Sequence, residues 1–455
     1  MGFEPPTDAG QDAFGIEHDS MGEVRVPALM LYGAQTQRAV DNFPISPHRF
    51  QPPLIKALGL VKSCAAQVNA DLGLLPRDLA SAIQQAADAI AEGAHAEQFV
   101  VDVFQTGSGT STNMNANEVI ARLAGAHPND HVNRSQSSND VIPSAIHIAA
   151  AVQVFGRLIP ALDLLAEALK NRAAAFWDVM KIGRTHLQDA TPMRLGQEFS
   201  GYARQVRSSV ERIRLAAEGI YELPLGGTAV GTGVNAPAGF AKKTIALIAQ
   251  RTGLPFREAR NHFEAQAAKD AISFLSGALK TCAIALTKIA NDIRWLGSGP
   301  RGGLGEIRLP ELQPGSSIMP GKVNPIIPES LLMVCAQVMG HDATITWGCA
   351  SGNFELNTMM PVIAYDLLDS IELLDAGVRN FTARCIKGLE ADREKAGVLV
   401  ERSLAMATAL TTEIGYDRAA ALAKEAHETG RTVREVAIEK SGLPEERIAD
   451  LLRFD

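Results

Sequence analysis

Cysteine, aromatic residues and clustered positive charge are all scarce in this chain, and each shortage removes a class of protein. Five cysteines (Cys64, Cys282, Cys335, Cys349, Cys385) occur in 455 residues. They are odd in number, widely separated and without a C-x-x-C pair, which argues against a disulfide scaffold, a zinc knuckle or an iron–sulfur cluster. Aromatic residues make up 5%; a core of Ala, Leu, Ile and Val with so few rings suits helix-on-helix packing better than a β-sandwich. Lys and Arg are scattered and the formal charge is −8, so no basic footprint for nucleic acid exists. The stretch from Met1 to Asp19 lacks a basic-then-apolar pattern and reads as neither signal nor transit peptide, so a cytoplasmic location is expected. The longest uncharged stretch, 141–156, falls short of the roughly 20 apolar residues of a membrane span.

What is present is ordinary for a soluble protein, with 46% hydrophobic and 21% charged residues, in a chain long enough for two or three packed units. The spacing predicts two helices and a turn over 53–94, broken by Gly73 and Pro76, and an extended segment over 99–104. Leu195, Phe199, Tyr202, Val206, Val210, Ile213, Ala217 and Ile220 mark one stripe on a long helix that opens after Pro192. Ile272, Leu275, Leu279, Cys282, Leu286, Ile289, Ile293 and Leu296 step 3-4-3-4-3-4-3, a heptad seam of the kind that packs into bundles. Helical patterning continues over 326–348 and 359–390. Shorter, more charged helices follow over 392–412, 417–430 and 431–441. Three domains are expected: 1–140 with anion-binding loops, 141–356 as a central helical bundle, and 357–455 as a small helical C-terminal domain.

Four polar segments interrupt this pattern: 106–115 (TGSGTSTNMN), 127–140 (HPNDHVNRSQSSND), 183–190 (GRTHLQDA) and 315–325 (GSSIMPGKVNP). Each combines hydroxyls, amides and exposed backbone N–H groups with one cation or imidazole, a set that favours carboxylates when held near helix N-termini. Any one alone reads as loop and helix cap; four together point to an anion site. An acidic chain handling an anion must gather positive charge locally, and Lys322 sits in the most distinctive of the four. The glycines at 107 and 109 do not make a dinucleotide site, because Thr112 occupies the third position and no βαβ pattern follows.

The GSSIMPGKVNP stretch resembles the signature of the fumarase/aspartase superfamily, and the likeness extends over the other three segments and nearly the whole chain. His186 stands where aspartase-like sequences carry Gln. The signature reads MPGKVNP rather than MPAKVNP, and QTGSGTS replaces QGGAGTS, so the resemblance is to the fumarases within the superfamily. It implies an all-α, three-domain fold with a central long-helix bundle in a homotetramer, active sites shared between subunits, a small dicarboxylate substrate, and no cofactor, metal, nucleic acid or membrane.

Dehydrating malate generates a carbanion beside a carboxylate, which fixed donors stabilise best. The resemblance implies that Ser316 is the base toward carbon, that His186 handles the water on the opposite face, and that Glu329 orients the imidazole. A serine base needs a depressed pKa, expected from Lys322 and the loop amides. By the same resemblance Ser108, Gly109, Thr110, Ser137, Ser138, Asn139, Thr185, Ser317, Lys322, Val323 and Asn324 bind substrate. His127, Pro128, Asn129 and Asp130 match an accessory anion site rather than a metal cluster. There this chain departs from the family, with LAGA at 123–126 in place of a longer loop that often brings a basic residue. The isolated His147 and His262 read as structural. Alternatives are a related hydratase or lyase acting on mesaconate or aspartate, and a structural protein that kept the scaffold.

Overall fold

Alanine- and leucine-rich stripes at helical spacing leave little for sheets to do, and the architecture follows from that. The computed structural model describes residues 14–453, is 64% helical, and among the described residues contains no sheet of more than two strands. The fold is therefore all-α, as expected.

The long elements fall where the periodicity puts them. Pro52–Asp71 and Arg77–Glu92 form the first pair of helices, with the turn made by Gly73 at φ +74° and by Pro76. Every position of the predicted seam on Asp270–Leu296 is buried, none more than 4% exposed. The stripe on Leu195–Ala217 is equally inaccessible, from Leu195 to Ile213 and on to Ile220 in the turn beyond. Ile326–Ala350 and Met360–Arg384 complete the set of long helices. The last ends short of the predicted 390 because Glu390–Ala391 leaves the helical path to pair with Ile307–Arg308. Residues 99–104 join no sheet.

Two compact units result. One runs from the described N-terminus to Ile159 and adds Glu211–Thr281 and Gln337–Leu374; in it, Phe240 of the Phe240–Thr252 helix packs against Ala65 and Val68. The other comprises Pro160–Val210, Cys282–Ala336 and residues from Asp375 onward. Its C-terminal helices Arg393–Arg402, Tyr416–Thr429 and Val433–Lys440 lie near the predicted spans. They close over Ile182, Met406, Leu410 and Val436. A further helix, Glu445–Leu451, was not anticipated.

Two described helices, Ser138–Ala175 and Asp270–Leu296, are long and apolar enough to cross a membrane by length and composition. The first exceeds the 141–156 stretch because it continues through a wide turn at Val154–Leu158. More than half of each apolar window is buried within the protein, the pattern of a core helix.

Candidate active site

In the first unit, two helix starts lie side by side. Thr110–Ala124 opens at Gly109, whose φ of +73° is a left-handed conformation that glycine adopts without strain. A Cβ at Gly109 would meet Ile142 at 3.0 Å, and one at Gly107 would lie 1.9 Å from the Thr358 carbonyl oxygen. Gly107 is therefore required by close approach to backbone, and Gly109 by its positive φ with Ile142 close behind it. Gly109 has no side chain to cap the helix, and Gln105 Oε1 accepts the Thr112 N–H at 3.0 Å, which leaves the N–H groups of Thr110 and Ser111, with the macrodipole, to an anion. Ser108 Oγ and Thr110 Oγ1 lie 2.8 Å apart beside it.

The second start, Ser138–Gln153, is locked by its own residues. Ser137 N donates to Asp140 Oδ1 at 2.9 Å and Asn139 N donates to Ser137 Oγ at 3.3 Å, a capping box. The other carboxylate oxygen of Asp140 accepts Gly226 N at 2.8 Å and Thr228 N at 3.0 Å. Asn139 donates its side-chain amide to the Ala229 carbonyl at 2.8 Å. Burial pushes the Asp140 carboxyl up, while these backbone donors and the charge of Lys62 pull it down. Asp140 thus pins the 226–229 loop against the Ser137–Asn139 segment.

A cavity of about 660 Å³ opens here, lined by Asn129, Asp130, Asn133, Gln136, Ser137 and Thr228 among others. Two of the accessory-site residues and one substrate-binding candidate therefore face the same space. His127 caps the short turn Pro128–Val132, its Nδ1 accepting Asp130 N at 3.1 Å. The isolated histidines both bond carbonyls, His147 Nδ1 to Glu222 O at 2.9 Å and His262 Nδ1 to Pro224 O at 2.8 Å.

In the second unit, the 183–190 segment is not a free loop but the end of a β-hairpin. Met180–Thr185 pairs antiparallel with Gln188–Arg194, and His186 and Leu187 form the two-residue turn at φ +56° and +60°. Both signs are those of a tight hairpin turn that usually employs Asn or Gly. The hairpin continues through Pro192, so the long helix begins at Leu195, not directly after the proline. A two-stranded ribbon has an open side on each strand, where a residue without N–H is tolerated. Arg184, one residue before Thr185, holds the hairpin near its tip with a bidentate pair to the buried Glu306, at 2.7 and 3.2 Å. The tip, with Thr185 and His186, is exposed.

The 315–325 loop closes on itself. Gly315 N donates to Lys322 O at 2.7 Å, and Asn324 Nδ2 donates to Gly315 O at 2.7 Å. Inside the closure Ser316 Oγ accepts two backbone N–H groups, from Met319 at 3.0 Å and Ile318 at 3.3 Å. Two dipoles aimed at one hydroxyl oxygen favour its anionic form over the neutral one. Ser317 and Lys322 are exposed, and Val323 is 40% exposed. Lys322, Val323, Asn324 and Glu329 line a cavity of about 390 Å³ with Arg294 and Trp295. Glu329, in the first turn of Ile326–Ala350, has its carboxylate 3.9 Å from Arg294; among the described residues no hydrogen bond joins it to His186.

Sequence reasoning missed Glu306 and Lys62 altogether and gave Asn133 no role of its own within the 127–140 segment. Asp140 was within reach, because S-x-x-D ahead of an apolar run is a capping-box signal.

Comparison with known proteins agrees with the all-helical fold. The family model described as Lyase matches residues 22–340, and that described as Fumarase C C-terminus matches 406–455. The fumarate hydratase class II of Mycobacterium tuberculosis is 54% identical over 448 residues, 97% of this chain and 94% of the relative. The mitochondrial fumarate hydratase of Rattus norvegicus is 51% identical over 459 residues, 98% of this chain and 90% of the relative. The crystal structure of a class II fumarase from Schistosoma mansoni superposes with a TM-score of 0.94 at 40% identity, covering 97% of this chain and 98% of that one. With an all-helical fold, a self-closed GSSIMPGKVNP loop and full-length likeness of this order, the chain belongs to the class II fumarase family of the fumarase/aspartase lyases.

Proposed function

We propose that this protein catalyses the reversible hydration of fumarate to L-malate. The single observation that carries the chemistry is Ser316 Oγ receiving two backbone N–H groups inside a loop that also presents Lys322 and Asn324. In the malate-to-fumarate direction, Ser316 in its alkoxide form takes the proton from the carbon next to the distal carboxylate. The electron pair of that C–H bond first spreads into the carboxylate, where Lys322, Asn324 and the hydroxyls of the other segments hold the extra charge. The pair then forms the double bond as the C–O bond breaks. The departing hydroxide takes a proton from His186 on the opposite face and leaves as water. Thr185, Ser317 and Val323, with Ser108, Gly109, Thr110 and Ser137 to Asn139, make up the rest of the dicarboxylate site. His127 to Asp130 form its accessory anion site.

The site is read as shared between subunits of a homotetramer, with Glu329 meeting the imidazole of another copy. Large apolar side chains left exposed on the long helices support assembly: Phe274 57%, Met333 68% and Trp347 74%. Mixing the His186→Asn and Asn139→Ala proteins under conditions that exchange subunits tests this. Recovered activity is expected, and none recovered counts against shared sites. The three stretches 1–140, 141–356 and 357–455 are kept as the domains of that assembly. All five cysteines are free, as suits a reducing compartment, and the cytoplasm is the location proposed.

The reaction is tested by following the double-bond absorbance with malate, aspartate and methylmalate in turn. Turnover of malate is expected to dominate. A methyl group is worth only about 1–3 kcal/mol to a pocket, so some activity toward mesaconate is compatible with the reading, whereas no turnover of malate would refute it.

A further inference from the structure

We propose that Lys62 is a positioning residue for the dicarboxylate site, a buried cation that fixes which way the Ser138 hydroxyl points; the proposal rests on Ser138 binding substrate. Lys62 lies in the middle of Pro52–Asp71, among Leu58, Val61, Ala65 and Ala66, and is fully buried. Burying an ammonium is costly, and an apolar side chain of similar volume would ordinarily serve the packing as well or better. Its charge therefore calls for a reason other than packing.

The ammonium donates to Asn133 Oδ1 and to Gln136 Oε1, both at 3.0 Å. Asn133 Oδ1 also accepts Asn113 Nδ2 at 3.2 Å and Asn117 Nδ2 at 3.1 Å, while Asn133 Nδ2 donates to the Gln136 carbonyl at 3.2 Å. The same Asn113 Nδ2 donates to Ser138 Oγ at 3.1 Å. A continuous path of three hydrogen bonds thus leads from Lys62 through Asn133 and Asn113 to Ser138. Because Asn113 fills an acceptor position on Ser138 Oγ, the hydroxyl proton is free to be donated to a carboxylate.

The path has a second arrangement open to it. Asn113 Oδ1 and Asn117 Oδ1 are buried acceptors with no hydrogen-bond partner, an expensive condition. Turning the Asn133 amide over would offer its N–H groups inward toward Asn113 and Asn117. Turning Asn113 as well would make Ser138 donate to it and present a lone pair to the substrate. The Lys62 ammonium forbids the first turn, since it can only donate and needs Asn133 Oδ1 facing it. Burial pushes Lys62 down to about 7, and the charge of Asp140 opposes that fall.

The test is kinetic. Lys62→Met is expected to raise the KM for malate by about 10- to 100-fold, the worth of a hydrogen bond to a charged group, with kcat changed less than the KM. Ser138→Ala should do the same, and the Lys62→Met/Ser138→Ala double variant should add little further, because both remove one donor. Asn113→Leu leaves the charge in place and cuts the path; it should match Lys62→Met and serves if that variant does not assemble. An unchanged KM in either assembled variant, or fully additive effects in the double variant, overturns the proposal. Wild-type protein that does not turn over malate would instead refute the fumarase reading, so the two failures are distinct.

Discussion

Gly315→Ala is the sharpest perturbation of the 315–325 loop, because it adds one methyl group and removes no functional atom. A Cβ built at Gly315 lies 2.7 Å from Lys322 O, 2.8 Å from Asn324 N and 2.9 Å from Asn324 Cγ. Ordinary van der Waals contact begins near 3.4 Å, so the Lys322–Asn324 strand of the loop must retreat by about 0.7 Å, the difference from 2.7 Å. The same movement lengthens the two closing bonds, Gly315 N to Lys322 O and Asn324 Nδ2 to Gly315 O, each 2.7 Å. A misplacement on the order of 1 Å costs about 100-fold in rate, or about 2.7 kcal/mol of transition-state stabilisation. We expect kcat/KM for malate, followed by fumarate absorbance, to fall by roughly that factor while gel filtration and circular dichroism stay those of the wild type. Activity within twofold of wild type would refute the claim that this closure sets the geometry of Lys322 and Asn324.

Other outcomes follow from the same structure. His186→Asn should lower turnover by about 100- to 10,000-fold, the usual worth of a positioned proton-transfer group. The fold should survive, because the residue is an exposed hairpin turn at φ +56°, which Asn adopts more readily than most. Wild-type turnover would remove His186 from the mechanism. His147 governs acid stability: burial pushes its imidazole down from the ordinary 6.5 to about 4. The neutral form is favoured in the folded state, so its contribution is complete above pH 6.5 and is lost as pH falls toward 4, about 3 kcal/mol in all. His147→Gln should flatten the loss of stability between those values in denaturant titrations at several pH values; an unaltered slope would contradict the assignment.

The long helices were legible because burial imposes a 3-4 step on apolar residues, and the seam from Ile272 to Leu296 is buried at each step. The hairpin at 180–194 was not. Its turn uses His and Leu at positive φ instead of the Asn and Gly that announce such turns, and Pro192 imitates a helix start while sitting in a strand. The site residues divide in the same manner. Ser316, Lys322 and Asn324 stand in one irregular loop whose residue types have few other uses, whereas Glu306 is a lone acid made meaningful only by Arg184 arriving from 122 positions away. Lys62 is harder still, since a single lysine on an apolar helix face carries no periodic signal and its partners, Asn133 and Gln136, lie more than 70 residues downstream.

The claim on which the account turns is that the pocket grips a carbanion more tightly than malate itself. The direct measurement is inhibition by 3-nitro-2-hydroxypropanoate across the pH range in which it ionises. Its nitronate places two negative oxygens where the carbanion's charge would lie. The account predicts that the ionised form binds at least about 100-fold more tightly than malate. Equal, weak binding of the ionised and un-ionised forms would contradict it.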